Sequence, residues 1–294
     1  MPTLSGLDRQ RRSFPYPQPV IKALLRPPPY AAQRTPFQRP ARKPAVPKAI
    51  QPAAPLVETR PWPTSALLTC VVGFVWLLLW DYSRFDVWMA SNFADAHGFA
   101  LQDHWLWKGL LHDAIRPVPW AVALALLAGI VWPMGSLQQL PLARRVQIPV
   151  TTVLALLLVS GMKLHSTTSC PWDLRQFGGT AVYVSHWARG VTDGGTGGCF
   201  PAGHASAGFA FLGGFFAFKH TLPTVARRWL VGALAAGLLM GVAQQIRGAH
   251  YMSHTLWTAW LCWSTAALVD SLVSAWTLWR SRRGLLRPLT SANH

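Results

Sequence analysis

Six apolar stretches of membrane length constrain the fold of this chain more than any other feature. A membrane-spanning helix needs about 20 predominantly apolar residues, or about 17 where it runs close to the bilayer normal. Hydrophobic residues make up 51% of the 294 residues. We therefore predict an all-α, polytopic membrane protein with a six-transmembrane-helix bundle. The predicted spans are Thr64 to Trp80, Val118 to Met134, Ile148 to Met162, Ala205 to Phe218, Trp229 to Ala243 and Thr255 to Trp279.

The basic residues that flank these spans predict the orientation of the bundle, because Lys and Arg collect in short cytoplasmic loops. Most of the 27 Lys and Arg lie in the two tails or in the loops after spans two and four. Both termini are therefore predicted to be cytoplasmic, in a bacterial inner membrane. The loops predicted to face the periplasm hold most of the acidic residues, namely Asp81, Asp86, Asp95, Asp103 and Asp113.

The first 63 residues hold more than half of the 24 prolines and many basic residues, with only Asp8 and Glu58 as acids. This composition predicts a disordered cytoplasmic tail. The tail has three possible roles. It is simply solvated, or it binds anionic lipid headgroups, where each basic residue contributes about 1 kcal/mol. Alternatively, it presents polyproline such as Arg26 to Tyr30 to a protein partner. After this tail, the sequence predicts a six-span domain at residues 64–279 and a basic cytoplasmic tail at residues 280–294.

Two further expectations concern the whole chain. No short apolar stretch near the N-terminus is typical of a cleavable signal peptide, so the first span is expected to direct its own insertion. The net charge of +17 is divided between the tails and the membrane-flanking loops instead of one folded face, so no nucleic acid partner is expected.

Three polar segments adjoin the ends of the apolar stretches: Lys163 to Asp173, Cys199 to Ser206 and Arg247 to Trp257. Basic side chains and histidines at the end of a span are costly unless they line a polar cavity, so the segments indicate a functional site. On a helix entering span six, Arg247, His250 and His254 would share one face. Together with Lys163 and the start of span four at Gly203 and His204, they predict one cationic pocket at the outer face.

In order and spacing, these segments resemble the membrane branch of the type 2 phosphatidic acid phosphatase superfamily. That family carries K-x6-R-P, P-S-G-H and S-R-x5-H-x3-D, with six spans and a site on the outer face. The resemblance covers residues 64–279. The matching residues are Lys163 and Pro171 in the first motif, Pro201, Gly203 and His204 in the second, and His250, in the nucleophile position, in the third.

The resemblance implies a lipid phosphatase that uses no metal or other cofactor and acts on a membrane lipid phosphate. His250 would attack phosphorus to form a phosphohistidine, His204 would protonate the leaving oxygen, and water would then release phosphate. Lys163, Arg247 and the N–H groups near Gly203 would bind the phosphate oxygens. The substrate stays open among prenyl diphosphate, phosphatidate, phosphatidylglycerophosphate and lipid A phosphate.

Four motif positions depart from the family: Cys170 replaces arginine, Ala202 replaces serine, Gln244 replaces arginine and His254 replaces aspartate. Arg247, one helical turn from Gln244, is expected to supply the missing cation. His254 can orient the nucleophile but brings no negative charge. Asp173 is expected either to compensate for this or to form an ion pair with Arg175.

The sequence leaves the state of two cysteines open. Cys170 and Cys199 flank one outer loop, whereas Cys70 and Cys262 lie inside spans. The first two form either a disulfide that closes a loop of roughly 30 residues, worth about 3 to 4 kcal/mol, or two reduced thiols.

Three other functions compete with hydrolysis. His250 and His254 have the spacing of a helical zinc pair, but no glutamate lies between them, and Lys163 and Arg247 would repel a dication. A lipid phosphotransferase would use the same site. A non-catalytic phospholipid-binding or transport protein would not need two histidines. The remaining outer histidines are assigned to interfacial packing: His97, His104, His112, His165 and His186.

Overall fold

The computed structural model describes residues 64–115, 117–188 and 190–285, and it is mostly helical. The predicted N-terminal tail and residues 286–294 lie outside the described residues. The helices are α1 Thr64–Tyr82, α2 Phe85–Ser91, α3 Pro117–Val131, α4 Leu142–Leu164, α5 Gly203–Phe209, α6 Gly213–Phe218, α7 Pro223–Ile246 and α8 Met252–Leu285. A π-helix covers Leu106–Ala114, and β1 Ala94–Asp95 pairs antiparallel with β2 Gly98–Phe99.

Among the described residues, five helical segments are long and apolar enough to cross a membrane: Ser65–Tyr82, Pro117–Gln139, Leu142–Leu164, Pro223–Ile246 and Met252–Arg283. They coincide with five of the six predicted spans. The predicted fourth span is a shorter apolar run, Gly203–Phe218. At about 1.5 Å per residue this run is about 24 Å long, which is less than the roughly 30 Å hydrocarbon core of a bilayer.

Several helices extend beyond the apolar stretches that predicted them. α7 begins at Pro223 because proline at the first helical position is already in a helical conformation and lacks only an N–H that would be unpaired there. α8 continues past Trp279 to Leu285, so the predicted start of the C-terminal tail at residue 280 falls inside a helix. Arg283 stacks on the Trp279 ring, 4.0 Å from its centre, which favours this extension.

The central helices approach one another closely where small residues meet. A Cβ placed on Gly208 of α5 would lie 2.1 Å from the main-chain nitrogen of Gly237 on α7. Small residues let helix backbones pack against each other in membranes, where contact between helices replaces the hydrophobic effect. Phe209, Ala205 and Ala266 lie in the resulting core and are fully buried. α5 is therefore held between α7 and α8.

A buried ion cluster joins three helices at the end that is predicted to be cytoplasmic. Asp270 of α8 accepts hydrogen bonds from Arg144 of α4 and from Lys219 at the end of α6, both at 2.6 Å. Gln147 also donates to Asp270 at 3.2 Å. Ionisable residues at membrane depth are stable when paired in this way. The cluster lies about 24 Å along α8 from His254, so it supports the bundle and not the candidate site.

Candidate active site

The first two motifs meet where α4 ends and α5 begins. A Cβ on Gly203 would lie 3.5 Å from Cδ and 3.9 Å from Nζ of Lys163, so the lysine side chain lies against the first residue of α5. The N–H of Ala202 donates to the carbonyl of His254 at 3.2 Å, and Thr258 Oγ1 donates to the carbonyl of Ala202 at 3.1 Å. The start of α5 is thereby attached to α8.

The third motif is divided by a turn, so the prediction that one helical face carries Arg247, His250 and His254 is wrong. α7 ends at Ile246, and Gly248 has φ +74°, a left-handed conformation that glycine adopts at helix ends. A Cβ on Gly248 would also lie 2.4 Å from the Phe99 ring. Arg247 and His250 therefore lie in the turn, and only His254 lies on α8.

The structure nevertheless brings the three predicted catalytic histidines together. The ring centres of His250 and His254 are 5.9 Å apart, and those of His204 and His250 are 6.3 Å apart. His250 is 2% exposed. Burial lowers the pKa of His250 well below its ordinary value, and the charge of Lys163 lowers it further. His250 is therefore neutral near pH 7, which is the form able to attack phosphorus.

Arg247 is buried and turned toward the segment that follows β2. Its Nε donates to the carbonyl of Gln102 at 2.8 Å, and its Nη1 donates to Oε1 of Gln244 at 3.3 Å. Nη2 takes part in neither bond. The predicted proximity of Arg247 and Gln244 is therefore present, and these bonds hold the guanidinium beside the third motif.

Cys170 and Cys199 form a disulfide with a Cα–Cα distance of 5.2 Å. The sequence had left this pairing as one of two alternatives. Sγ of Cys199 also lies 3.5 Å from Nδ1 of His250. Cys199, His250 and His254 have ligand-type atoms within 4.8 Å of one another, but a sulfur bonded in a disulfide is not a thiolate. Two imidazoles beside the Lys163 charge are a poor zinc site.

Asp173 stabilises the loop instead of the histidines. Its Oδ2 accepts hydrogen bonds from the N–H of Cys170 at 3.1 Å and from Thr196 Oγ1 at 3.4 Å. Arg175 donates through Nε to the carbonyl of Thr180. Among the described residues, neither of the two roles predicted for Asp173 is therefore seen.

Two further acids, Asp86 and Asp193, which the sequence analysis did not assign to the site, hold segments around it in place. Asp86 accepts hydrogen bonds at 3.0 Å from Trp80 Nε1 and from the N–H of Ser253, so it caps the start of α8. Burial raises the pKa of Asp86 despite these bonds. Asp193 accepts from the N–H of Ser169 at 2.6 Å and from its hydroxyl at 2.8 Å. Burial alone would raise the pKa of Asp193, but its hydrogen bonds outweigh this and lower it.

His186 was assigned to interfacial packing, yet it lies next to the site. Its Nε2 is 3.1 Å from Oδ2 of Asp81, and the two side chains are 8% and 6% exposed. Trp187 and Trp257 each donate to the same carboxylate oxygen at 2.9 Å. The His186 ring stacks on Phe200 at 4.0 Å. Residues 81 and 186 are separated by two predicted spans, so no sequence spacing could have revealed this contact.

A cavity of about 710 Å³ begins beside the site and continues along the helices. Lys163, Gly203 and His204 line one part of it, and Arg228, near the N-terminal end of α7, lines another. Apolar and small residues line the length between them, among them Val122, Leu156, Ala207, Phe211, Ala233 and Leu239. The cavity therefore joins a cationic part to a long apolar channel between α3, α4, α5 and α7.

Neither the curated proteins nor the solved structures give a significant match to this chain. The model of the PAP2 superfamily, the type 2 phosphatidic acid phosphatase superfamily, matches residues 145–278, a range that includes all three motifs. This agrees with the resemblance expected from Lys163, His204 and His250, and residues 145–278 of the chain therefore match the PAP2 superfamily.

Proposed function

We propose that this protein is an integral membrane phosphatase that hydrolyses a phosphate or diphosphate monoester of a lipid through a phosphohistidine on His250. The match to the PAP2 superfamily supports phosphatase activity on phosphate esters. The observation that carries the lipid assignment is the shared cavity. Lys163 and Gly203, which are expected to bind phosphate, and His204, the expected proton donor, line the same space as a long apolar wall. A phosphate headgroup and its hydrocarbon tail fit such a cavity together.

The proposed chemistry uses the neutral imidazole of His250 as nucleophile. The nitrogen forms a bond to phosphorus while the bond from phosphorus to the ester oxygen breaks, and His204 gives that oxygen a proton. His204 then takes a proton from water, which attacks the phosphohistidine and releases inorganic phosphate. Lys163 and a reoriented Arg247 neutralise the oxygens of the transferred group. No metal takes part in these steps.

A panel of lipid phosphates tests this proposal. The purified protein is incubated with prenyl diphosphate, phosphatidate, phosphatidylglycerophosphate and lipid A phosphate, and released inorganic phosphate is measured. Chelators should not change the rate, and His250→Ala should abolish it in a protein that melts as the wild type does. Full activity of His250→Ala would rule out the phosphohistidine. Transfer of the phosphoryl group to a second lipid, with no release of free phosphate, would instead identify a phosphotransferase.

The role of the apolar channel is tested by filling it. Gly232 of α7 lines the cavity, and a Cβ added there has no neighbour within 4 Å, so Gly232→Phe is expected to fold. It should raise KM for long-chain lipid phosphates but not for a short water-soluble phosphate ester. Gly161→Phe is the matched control, since Gly161 also has free space but does not line the cavity. Equal effects of both variants on the lipid substrate would contradict the assignment of the channel.

We also propose that Gly203–Phe218 is the sixth, shortened span, that both termini are cytoplasmic, and that the basic tail contacts anionic lipid headgroups. The site would then face the periplasm of a bacterial inner membrane. Thr192→Cys should react with a membrane-impermeant thiol reagent in intact cells; Thr192 is exposed, whereas nearby Gly194 has φ +81° and does not suit a cysteine. Arg282→Cys should react only after permeabilisation. The reverse pattern would overturn the orientation.

A further inference from the structure

We propose that Asp81 and His186 act through His254 as positioning residues that supply the negative charge missing from the third motif. This inference rests on the proposed function, in which His250 becomes a phosphohistidine. An imidazole bonded to phosphorus carries positive charge, and a neighbouring carboxylate stabilises that charge. The superfamily motif has aspartate at the position of His254, and a neutral imidazole cannot replace its charge. A carboxylate from elsewhere in the fold is therefore required.

Of the buried acids that the structure describes near the outer ends of the helices, Asp81 is the one that contacts a histidine. Asp86 is bonded to Trp80 and to the start of α8, and Asp193 is bonded to Ser169. Asp81, at the end of α1, lies 3.1 Å from Nε2 of His186. Among the acids that the structure describes there, this carboxylate therefore has a route to the catalytic histidines.

The second half of the route runs from His186 to the nucleophile. The ring centres of His186 and His254 are 6.0 Å apart, and those of His254 and His250 are 5.9 Å apart. The His186 and His254 rings meet edge to face, at 85°, and Nδ1 of His254 is buried with no hydrogen-bond partner among the described residues. Asp81, His186, His254 and His250 thus form a continuous series of neighbouring groups.

The surroundings hold this series in place. Trp187 and Trp257 donate to the Asp81 carboxylate, and Phe200 lies parallel to the His186 ring at 8°. These contacts fix both the carboxylate and the ring. They also exclude water, and a charge acts over a longer distance in such a dry environment. Asp81 can therefore favour positive charge on His254 and, through it, on His250.

A double-mutant cycle tests the relay. Asp81→Asn keeps the size of the side chain and should lower kcat by about 10- to 100-fold with KM unchanged, by analogy with groups that orient metal-binding histidines. His254→Asp places a carboxylate directly beside His250 and should raise kcat. In that background Asp81→Asn should have an effect of no more than about twofold, the scatter expected between sites that do not interact.

Asp86→Asn is the matched control, because Asp86 is also a carboxylate with little exposure, caps α8, and accepts its hydrogen bonds from Trp80 and Ser253. It should lower activity by the same factor in both backgrounds. If Asp81→Asn does not fold, His186→Gln is measured in both backgrounds instead, with the same expected loss and rescue.

Three results would overturn the relay: no loss of kcat in Asp81→Asn, an equal loss in the wild-type and His254→Asp backgrounds, or a His254→Asp variant less active than wild type. The proposed function fails by a different result, the persistence of activity in His250→Ala. The two failures are therefore distinguishable.

Discussion

The sulfur of Cys199 lies 3.5 Å from Nδ1 of His250, so the disulfide to Cys170 packs directly against the proposed nucleophile. Residue 170 is the position at which the superfamily motif has an arginine. The chain therefore has a disulfide-bonded cysteine where the superfamily motif has a positively charged side chain. The link connects the segment after Lys163 to the segment before α5, and both contribute to the site.

Reduction of the disulfide should destabilise the protein and reduce its activity. The bond closes a loop with a sequence separation of 29, and by lowering the entropy of the unfolded chain it stabilises the fold by about 3 to 4 kcal/mol. Melting of the purified protein with and without reductant measures this, together with the Cys170→Ser variant. Cys70→Ser, at a cysteine outside the disulfide, should melt as the wild type does. Alkylation of both Cys170 and Cys199 without reductant would contradict the prediction.

The pH profile should reflect the lowered pKa of His250. Burial and the charge of Lys163 keep the imidazole unprotonated well below pH 6.5, its ordinary pKa. The acid limb of kcat/KM that belongs to His250 should therefore lie well below pH 6.5. It is measured with several substrates whose phosphate pKa values differ, so that the titration of the enzyme is separated from that of the substrate.

Lys163→Gln removes a positive charge, so the pKa of His250 should rise and the acid limb should move to higher pH. The exposed Lys108, which pairs with Asp103, offers the control Lys108→Gln, which should leave the limb in place. A limb that moves to lower pH in Lys163→Gln would show that the lysine does not act on His250.

Asp270 should be important for stability and not for chemistry. Asp270→Asn leaves Arg144 and Lys219 without their counter-charge, and loss of one partner from a buried ion cluster typically costs about 3 to 5 kcal/mol. Changing all three residues together, with Arg144→Met, Lys219→Met and Asp270→Leu, should cost much less. Thermal unfolding in detergent separates the two cases. A similar loss in both would mean that packing at this position, and not charge, matters.

Asp193 should make the outer loop sensitive to acid. Its pKa is lowered by the hydrogen bonds from Ser169 and Gly195, so its stabilising effect is present above the ordinary pKa and is lost as the pH falls through the lowered value. At pH 7, Asp193→Asn should lower the free energy of unfolding by about 1 to 3 kcal/mol, because hydrogen bonds to a charged acceptor are lost. The melting temperature should fall accordingly. The substitution should also flatten the melting curve against pH below 4. An unchanged acid dependence would assign that dependence to another group.

The sequence by itself determined the parts of this protein that depend on local properties. The length of an apolar run predicts a helix across a membrane, and five predicted spans are found as helices of that length. The order and spacing of Lys163, His204 and His250 predicted the superfamily, and the match to residues 145–278 confirms it. Those residues were also expected to meet, since each adjoins the outer end of a span.

Features that arise from contacts between distant parts of the chain could not be predicted from the sequence and became visible in the tertiary structure. The turn at Gly248 packs against Phe99. This turn leaves His250 outside the helix that carries His254. The choice between thiols and a disulfide required the distance between Cys170 and Cys199. Asp81 and His186 meet because α1 packs beside α8 and the outer loop folds over both. Hydropathy and spacing describe neighbours along the chain, whereas these contacts arise from the packing of helices far apart in sequence.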